Sequence, residues 1–154
     1  TASGATASAA PRGERMPLTP ETYLGERSWQ ALANAEGGPD ADAHDYVLPG
    51  TQPLHAYALG GRRQMVDRER QVLRSETGEI RIRALAGEVN LVLGPEEGAG
   101  PSTATVLIDG EEASTFTVDR DDLYVLYKGE YGEREITLRL TGPGVAGYAY
   151  TFGQ

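Results

Sequence analysis

Short runs of alternating apolar and polar residues dominate the chain from about residue 45 onward. Residues 79–85, EIRIRAL, put Ile80 and Ile82 on one face and Arg81 and Arg83 on the other. That period of two is the signature of a half-buried strand. Ala86-Gly87 predicts a tight turn. Residues 88–93, EVNLVL, predict the returning strand, with Val89, Leu91 and Leu93 inward and Asn90 outward. Gly94-Pro95 stops it, and EEGAGP follows as loop. Residues 103–108 and 114–118 flank Asp109-Gly110, a pair suited to a type I′ hairpin because both central positions need positive φ. Residues 123–128 read as strand, 129–134 as a glycine-bounded turn, and 135–140 as strand with Ile136, Leu138 and Leu140 inward. After the turn at 142–144, residues 145–152 form the last strand, with Tyr148, Tyr150 and Phe152 alternating onto a core face.

Two stretches break this rhythm. Residues 62–75, RRQMVDRERQVLRS, suit one helix or two short strands through Met65, Val66, Val72 and Leu73, and strands are favoured. Residues 21–35 have room for a turn or two of helix. Residues 1 to 16 are Ala, Ser, Thr, Gly and charge, too poor in apolar groups to offset the entropy of ordering, and read as a flexible linker. Residues 17–154 then form one all-β domain. Strands at even spacing joined by short turns describe an antiparallel sandwich or barrel. Twenty Gly and nine Pro among 154 residues fit that turn-rich architecture.

Charge removes some functions. A net charge of −9 argues against nucleic acid, which calls for a basic stripe, and against contact with anionic membranes. With no cysteine, a disulfide scaffold, a thiolate zinc site and thiol redox chemistry are excluded for these residues. No apolar run approaches the ~18 residues of a membrane span. The opening TASGATASAAPRGERMP has neither an initiator Met nor an apolar signal core, and reads as part of a longer precursor.

Candidate chemistry is thin. Asp40, Asp42 and Asp45 are oxygen donors suited to calcium, but their spacing completes no EF-hand loop and Gly is missing at the turn position, so they read as a solvated loop. The DRDD run at 119–122 is a second acidic cluster. His44 and His55 match no metal spacing, and no nucleophile elbow or phosphate loop is present. The chain reads as non-catalytic, with no cofactor and no metal.

The peptide LTPETYLG at 18–25 resembles the start of the C-terminal domain of DipZ-type cytochrome c biogenesis proteins, a thioredoxin-like C-terminal domain family. PLHAYALGG is similar to that family's LxxWxLxG strand, and GEIRIRALAGEVNLVLGP to its central hairpin ending in LVLGP. VLIDG, DDLYVLYKG and GPGVAGYAYTFG follow in the family's order, so the resemblance runs from Leu18 to Gly153. It implies a jelly-roll-like β-sandwich similar to a carbohydrate-binding module, following a thioredoxin-fold domain on the extracytoplasmic side of the membrane. LTPETYLG would then be a structural junction, with Pro20 fixing φ, Thr19 or Thr22 capping a turn, and Tyr23 and Leu24 packing as an anchor. Two tryptophans of the family depart: Tyr57 replaces one, and Gly61-Arg62-Arg63 lacks the other.

A glycan module works by stacking aromatic faces on sugar rings, with hydrogen-bond donors alongside. The candidate platforms are Trp29, Tyr57, Tyr124, Tyr127 and Tyr131, the last expected to be exposed in its glycine-flanked turn; core or edge packing is the alternative use of each. Arg81, Arg83, Asn90 and Arg139 would form a basic, amide-bearing patch if their strands are neighbours, able to grip carboxylates. The competing use is a solvated face of ion pairs to Glu79, Glu88 and Glu135. The partner is a polysaccharide, or alternatively a thioredoxin-fold domain docked without sugar.

Overall fold

The computed structural model describes residues 16–154, so the linker expectation for 1–16 lies, Met16 apart, outside the described residues. The strands are β1 (Thr22–Tyr23), β2 (Ala43–Tyr46), β3 (Tyr57–Asp67), β4 (Arg70–Leu73), β5 (Thr77–Pro95), β6 (Ser102–Ile108), β7 (Glu111–Val118), β8 (Asp122–Thr141) and β9 (Val145–Gly153), with a 3-10 helix at Glu26–Ala31. All pairings between these strands are antiparallel.

Two long bent strands serve both layers of an antiparallel β-sandwich. β5 has 19 residues and β8 has 20, and they pair along nearly their whole lengths. In the first layer the early half of β5 lies between β3 and the late half of β8, and β6 and β7 follow. In the second layer the late half of β5 lies between the early half of β8 and β9, with β1 and β4 beyond β9. The expected turn at Ala86-Gly87 is therefore a bend inside one strand. The expected turn at 129–134 is its counterpart: Ala86 pairs with Gly132 and Glu88 with Lys128, so residues 129–131 bulge opposite Gly87. A bulge sharpens local twist, which carries both strands from one layer to the other. Gly87 is required there, since a Cβ would sit 2.5 Å from the carbonyl carbon of Gln154.

The other expectations hold where sequence period and turn chemistry agree. Asp109 and Gly110 have φ of 51° and 88°, as the type I′ hairpin between β6 and β7 demands. Residues 62–75 are the end of β3, a turn and β4. Ile80, Ile82, Leu91, Leu93, Ile136, Leu138 and Leu140 are all fully buried. Each such side chain is worth about 1.5–3 kcal/mol of burial, enough to fix the register of every strand that carries them. Tyr148 departs from its neighbours Tyr150 and Phe152. A register shift between Val92 and Leu93 turns it outward, where its hydroxyl accepts from Arg70 Nη1 at 3.3 Å.

LTPETYLG is structural along its length. Thr19 N–H donates to the Leu85 carbonyl at 3.1 Å, and Thr19 Oγ1 accepts from Leu85 N–H at 2.8 Å. Thr22 Oγ1 donates to the Pro20 carbonyl at 2.8 Å, closing the turn into β1. Leu24 is wholly buried, and its N–H donates to Tyr148 O at 2.9 Å. Gly25 passes so near Arg68 that a Cβ would lie 2.5 Å from its carbonyl carbon.

Candidate functional site

The pairings bring three of the four candidate polar residues onto one surface. Glu79 pairs with Arg139, Arg81 with Thr137, and Arg83 with Glu135, so all three arginines lie on the outer face of the first layer. Asn90 does not join them. It lies beyond the Gly87 bend, on the outer face of the second layer, where it pairs with Thr151 and Val125 and is nearly buried.

Arg81 and Arg83 are tied into the protein. Arg81 Nε donates to Gln52 Oε1 at 2.7 Å and Nη2 to the Pro49 carbonyl at 2.5 Å, with Glu135 at 3.7 Å. Arg83 Nε donates to Gln52 O at 3.1 Å, and its other nitrogens reach Glu133 at 3.3 Å and Glu135 at 3.2 Å. The loop of residues 47–56 covers this end of the face. Arg139 differs: it is exposed and forms no ion pair among the described residues.

Around Arg139 the strand pairings lay out threonines. Thr77, Thr141, Thr103 and Thr117 stand side by side across β5, β8, β6 and β7, all exposed. The next row reads Glu79, Arg139, Thr105, Thr115. Neighbouring strands lie about 4.8 Å apart, so the four-threonine row spans about 14 Å of hydroxyls. Sequence reasoning passed over these residues. The signal was there in Thr-Ala-Thr at 103–105 and Thr-Phe-Thr at 115–117, which alternate with buried or half-buried neighbours.

The aromatic candidates are not free platforms. Tyr57 is 0% exposed, because it shares the inward face of β3 with Leu59; burial raises its pKa above the ordinary phenol value. Tyr124 stacks on Phe116 with centroids 4.9 Å apart, and its hydroxyl donates to Arg120 O at 3.0 Å. Tyr127 carries the Arg134 guanidinium 4.4 Å over its ring. Tyr131, expected to be exposed, is half-buried and donates to Pro17 O at 2.5 Å. Trp29 packs against the core from the 3-10 helix. The acidic loop forms local pairs: Asp40 with His44 at 2.9 Å and Asp45 with Arg62 at 3.0 Å. Among the described residues no group of three or more His, Asp or Glu is placed to hold a metal ion.

A cleft of about 250 Å³ opens at one end of the sandwich, lined by Leu73, Arg74, Glu96, Glu97, Gly98, Ala99, Pro143 and Gly144. Its polar groups are largely spent on each other, since Arg74 pairs with Glu96 and donates to Gln64. No aromatic ring lines it.

The family profile of the thioredoxin like C-terminal domain matches residues 19–153, almost the whole described chain. This chain belongs to that family. No curated protein sequence matches this thioredoxin-like C-terminal domain. Among solved structures it is similar to a family two carbohydrate esterase from Clostridium thermocellum in complex with cellohexaose, at 15% identity and a TM-score of 0.57. That match covers 64% of this chain and 31% of the esterase, so the domain spans about a third of that enzyme, and at this identity the likeness is one of fold. A further match is the module CsCBM6-3 from Clostridium stercorarium in complex with cellobiose, at 17% identity, a TM-score of 0.43, and 79% and 88% coverage of the two chains.

Proposed function

We propose that the domain is a non-catalytic accessory module of an extracytoplasmic DipZ-type protein, and that it holds polysaccharide weakly on the threonine-lined outer face of its first layer. The observation that carries this is Arg139: an exposed guanidinium with no ion pair among the described residues, set among threonine hydroxyls in a protein of net charge −9. A polyhydroxylated chain suits such a face, because each threonine both donates and accepts. The sandwich fold and the esterase likeness support a carbohydrate setting. The family's name supports an upstream thioredoxin-fold domain, which would carry any dithiol chemistry.

The test is amide chemical-shift mapping with neutral and uronate-bearing polysaccharides. Dissociation constants between millimolar and micromolar are expected, about −4 to −8 kcal/mol. Shifts should gather at Thr103, Thr105, Thr115, Thr117, Arg139 and Thr141, and Arg139→Ala should weaken the uronate polymer more than the neutral one. Shifts at the Arg74–Glu96 cleft instead, or none at high ligand, would refute the assignment.

A second reading rests on a different surface. Leu123 and Val125 are 46% and 51% exposed on the outer face of the second layer, beside Val92 and Ala149. That strip favours docking of a protein partner. Titration with the parent's thioredoxin-fold domain would move Leu123 and Val125 under this reading, and leave Arg139 unmoved.

A further inference from the structure

The largest fully buried side chain of the described residues is charged. Arg63 is 0% exposed in the interior bounded by β3, β5, β9 and β4, four strands that pair in a closed ring. Its Nε donates to Gly60 O and its Nη2 to Glu79 O, each at 3.2 Å. No carboxylate pairs with it among the described residues. Burial lowers its pKa to about 10, which leaves it a cation at neutral pH. The same interior holds further buried polar atoms without a close hydrogen-bond partner, Arg63 Nη1, the Tyr57 and Tyr150 hydroxyls and the amide atoms of Gln71, and beside Gln71 stands the buried Tyr46 hydroxyl.

This set has a chemical bias. Arg63 Nη1 and Gln71 Nε2 are obligate donors, the phenols of Tyr57 and Tyr150 can donate as well as accept, and Gln71 Oε1 is the sole obligate acceptor among these atoms. An unpaired buried cation is far more costly than an unpaired neutral group. Water would satisfy donors but leave the charge in place. We infer that the interior of the β3–β5–β9–β4 ring binds one small inorganic anion of the halide class, held by Arg63 Nη1 with the hydroxyls of Tyr57 and Tyr150 and the amide of Gln71 as further donors. The site is structural. Its ligands are sealed from solvent, so the ion exchanges only when the ring opens, and it stabilises the fold as any ligand of the native state alone does. This site is independent of the polysaccharide surface and lies on the opposite side of the first layer.

The experiment uses the full chain with chloride and bromide as probes. Crystals grown in bromide, measured above the bromine absorption edge, should show an anomalous peak in contact with Arg63 Nη1. Density at that position without anomalous signal is water and overturns the inference. In solution, protein unfolded and refolded in gluconate should melt lower than in chloride, and titrated chloride should restore the melting temperature along a saturating curve. Sulfate at matched ionic strength should not. Equal melting temperatures in all three salts overturn it. Tyr150→Phe removes one donor and should raise the chloride midpoint about tenfold, by the loss of one hydrogen bond to a charged group. Gln71→Leu serves the same purpose if that variant does not fold, and an unmoved midpoint counts against the site.

Discussion

Replacing Arg81 and Arg139 separately by alanine tests the division of labour on the outer face. Arg81 has a side chain only 11% exposed and holds Gln52 Oε1 at 2.7 Å, the Pro49 carbonyl at 2.5 Å and Glu135 at 3.7 Å. Gln52 is itself buried, and its Nε2 already donates to Ala56 O, so Oε1 has no other donor once Arg81 is gone. A hydrogen bond to a charged group is worth about 1.5–3 kcal/mol, and an orphaned buried acceptor costs about 1–3 kcal/mol. These overlap, so Arg81→Ala should cost about 3 kcal/mol in all. Unfolding entropy near 2.1 cal/mol/K per residue gives about 0.3 kcal/mol/K for a domain of this size, so the melting temperature should fall by roughly 10 °C. Arg139 is exposed and unpaired among the described residues, so Arg139→Ala should change stability by less than about 0.5 kcal/mol while weakening polysaccharide. Thermal melts by circular dichroism, with urea titrations beside them, measure both. Equal losses for the two variants, or no loss for Arg81→Ala, would refute the reasoning that the 47–56 loop consumes one arginine and leaves the other free.

Two further outcomes follow from burial. Leu24→Ala should cost about 2–5 kcal/mol by urea titration, because Leu24 is fully buried under β9, whereas Met16→Ala should be neutral; a loss under 1 kcal/mol would show that the junction peptide is no anchor. Tyr57 and Tyr150 are protonated more tightly in the fold than in the unfolded chain, because burial raises their pKa above 10.0. Their contribution to stability is complete below pH 10 and fades as pH rises beyond it, so both should ionise only as the domain unfolds. Phenolate absorbance rising for all eight tyrosines with unchanged circular dichroism would refute this.

Strand identity was legible wherever alternation was clean, and pairing was not. Ile80, Ile82, Ala84 and Ala86 face inward at even positions, and Val89, Leu91 and Leu93 at odd ones. A change of phase at Gly87 marks a hairpin turn and a bulged bend equally well. Only the partner decides, and here β8 stays alongside β5 through the bend. Asp109-Gly110 carried no such ambiguity, because positive φ at two successive positions has one common use between strands. β2 escaped notice for another reason: its residues, Ala43–Tyr46, carry Asp and His, and their strand conformation comes from pairing with β3 rather than from their own propensity.

The site divides along the same line. Alternation told which residues share a face, and it held for Arg81, Arg83 and Arg139. The same rule applied to β3 puts Tyr57 on one face with Leu59, a core position, a reading that the analogy with the family's tryptophan displaced. What no local pattern reveals is which arginine on a polar face stays free. Arg81 and Arg83 are claimed by Gln52 and Pro49, about thirty residues away in sequence, on a loop whose path depends on the finished sheet. Arg63 carries the point further. Two arginines stand adjacent at 62 and 63, and one points to solvent and Asp45 while the other is sealed in the core. Strand alternation divides them, since Arg63 shares the phase of Tyr57 and Leu59 on the inward face of β3 and Arg62 has the opposite one. A buried cation without a carboxylate partner among the described residues is the kind of local conflict that natural sequences keep only where something compensates it. That is the physical reason to look for an anion in the ring rather than to treat Arg63 as packing.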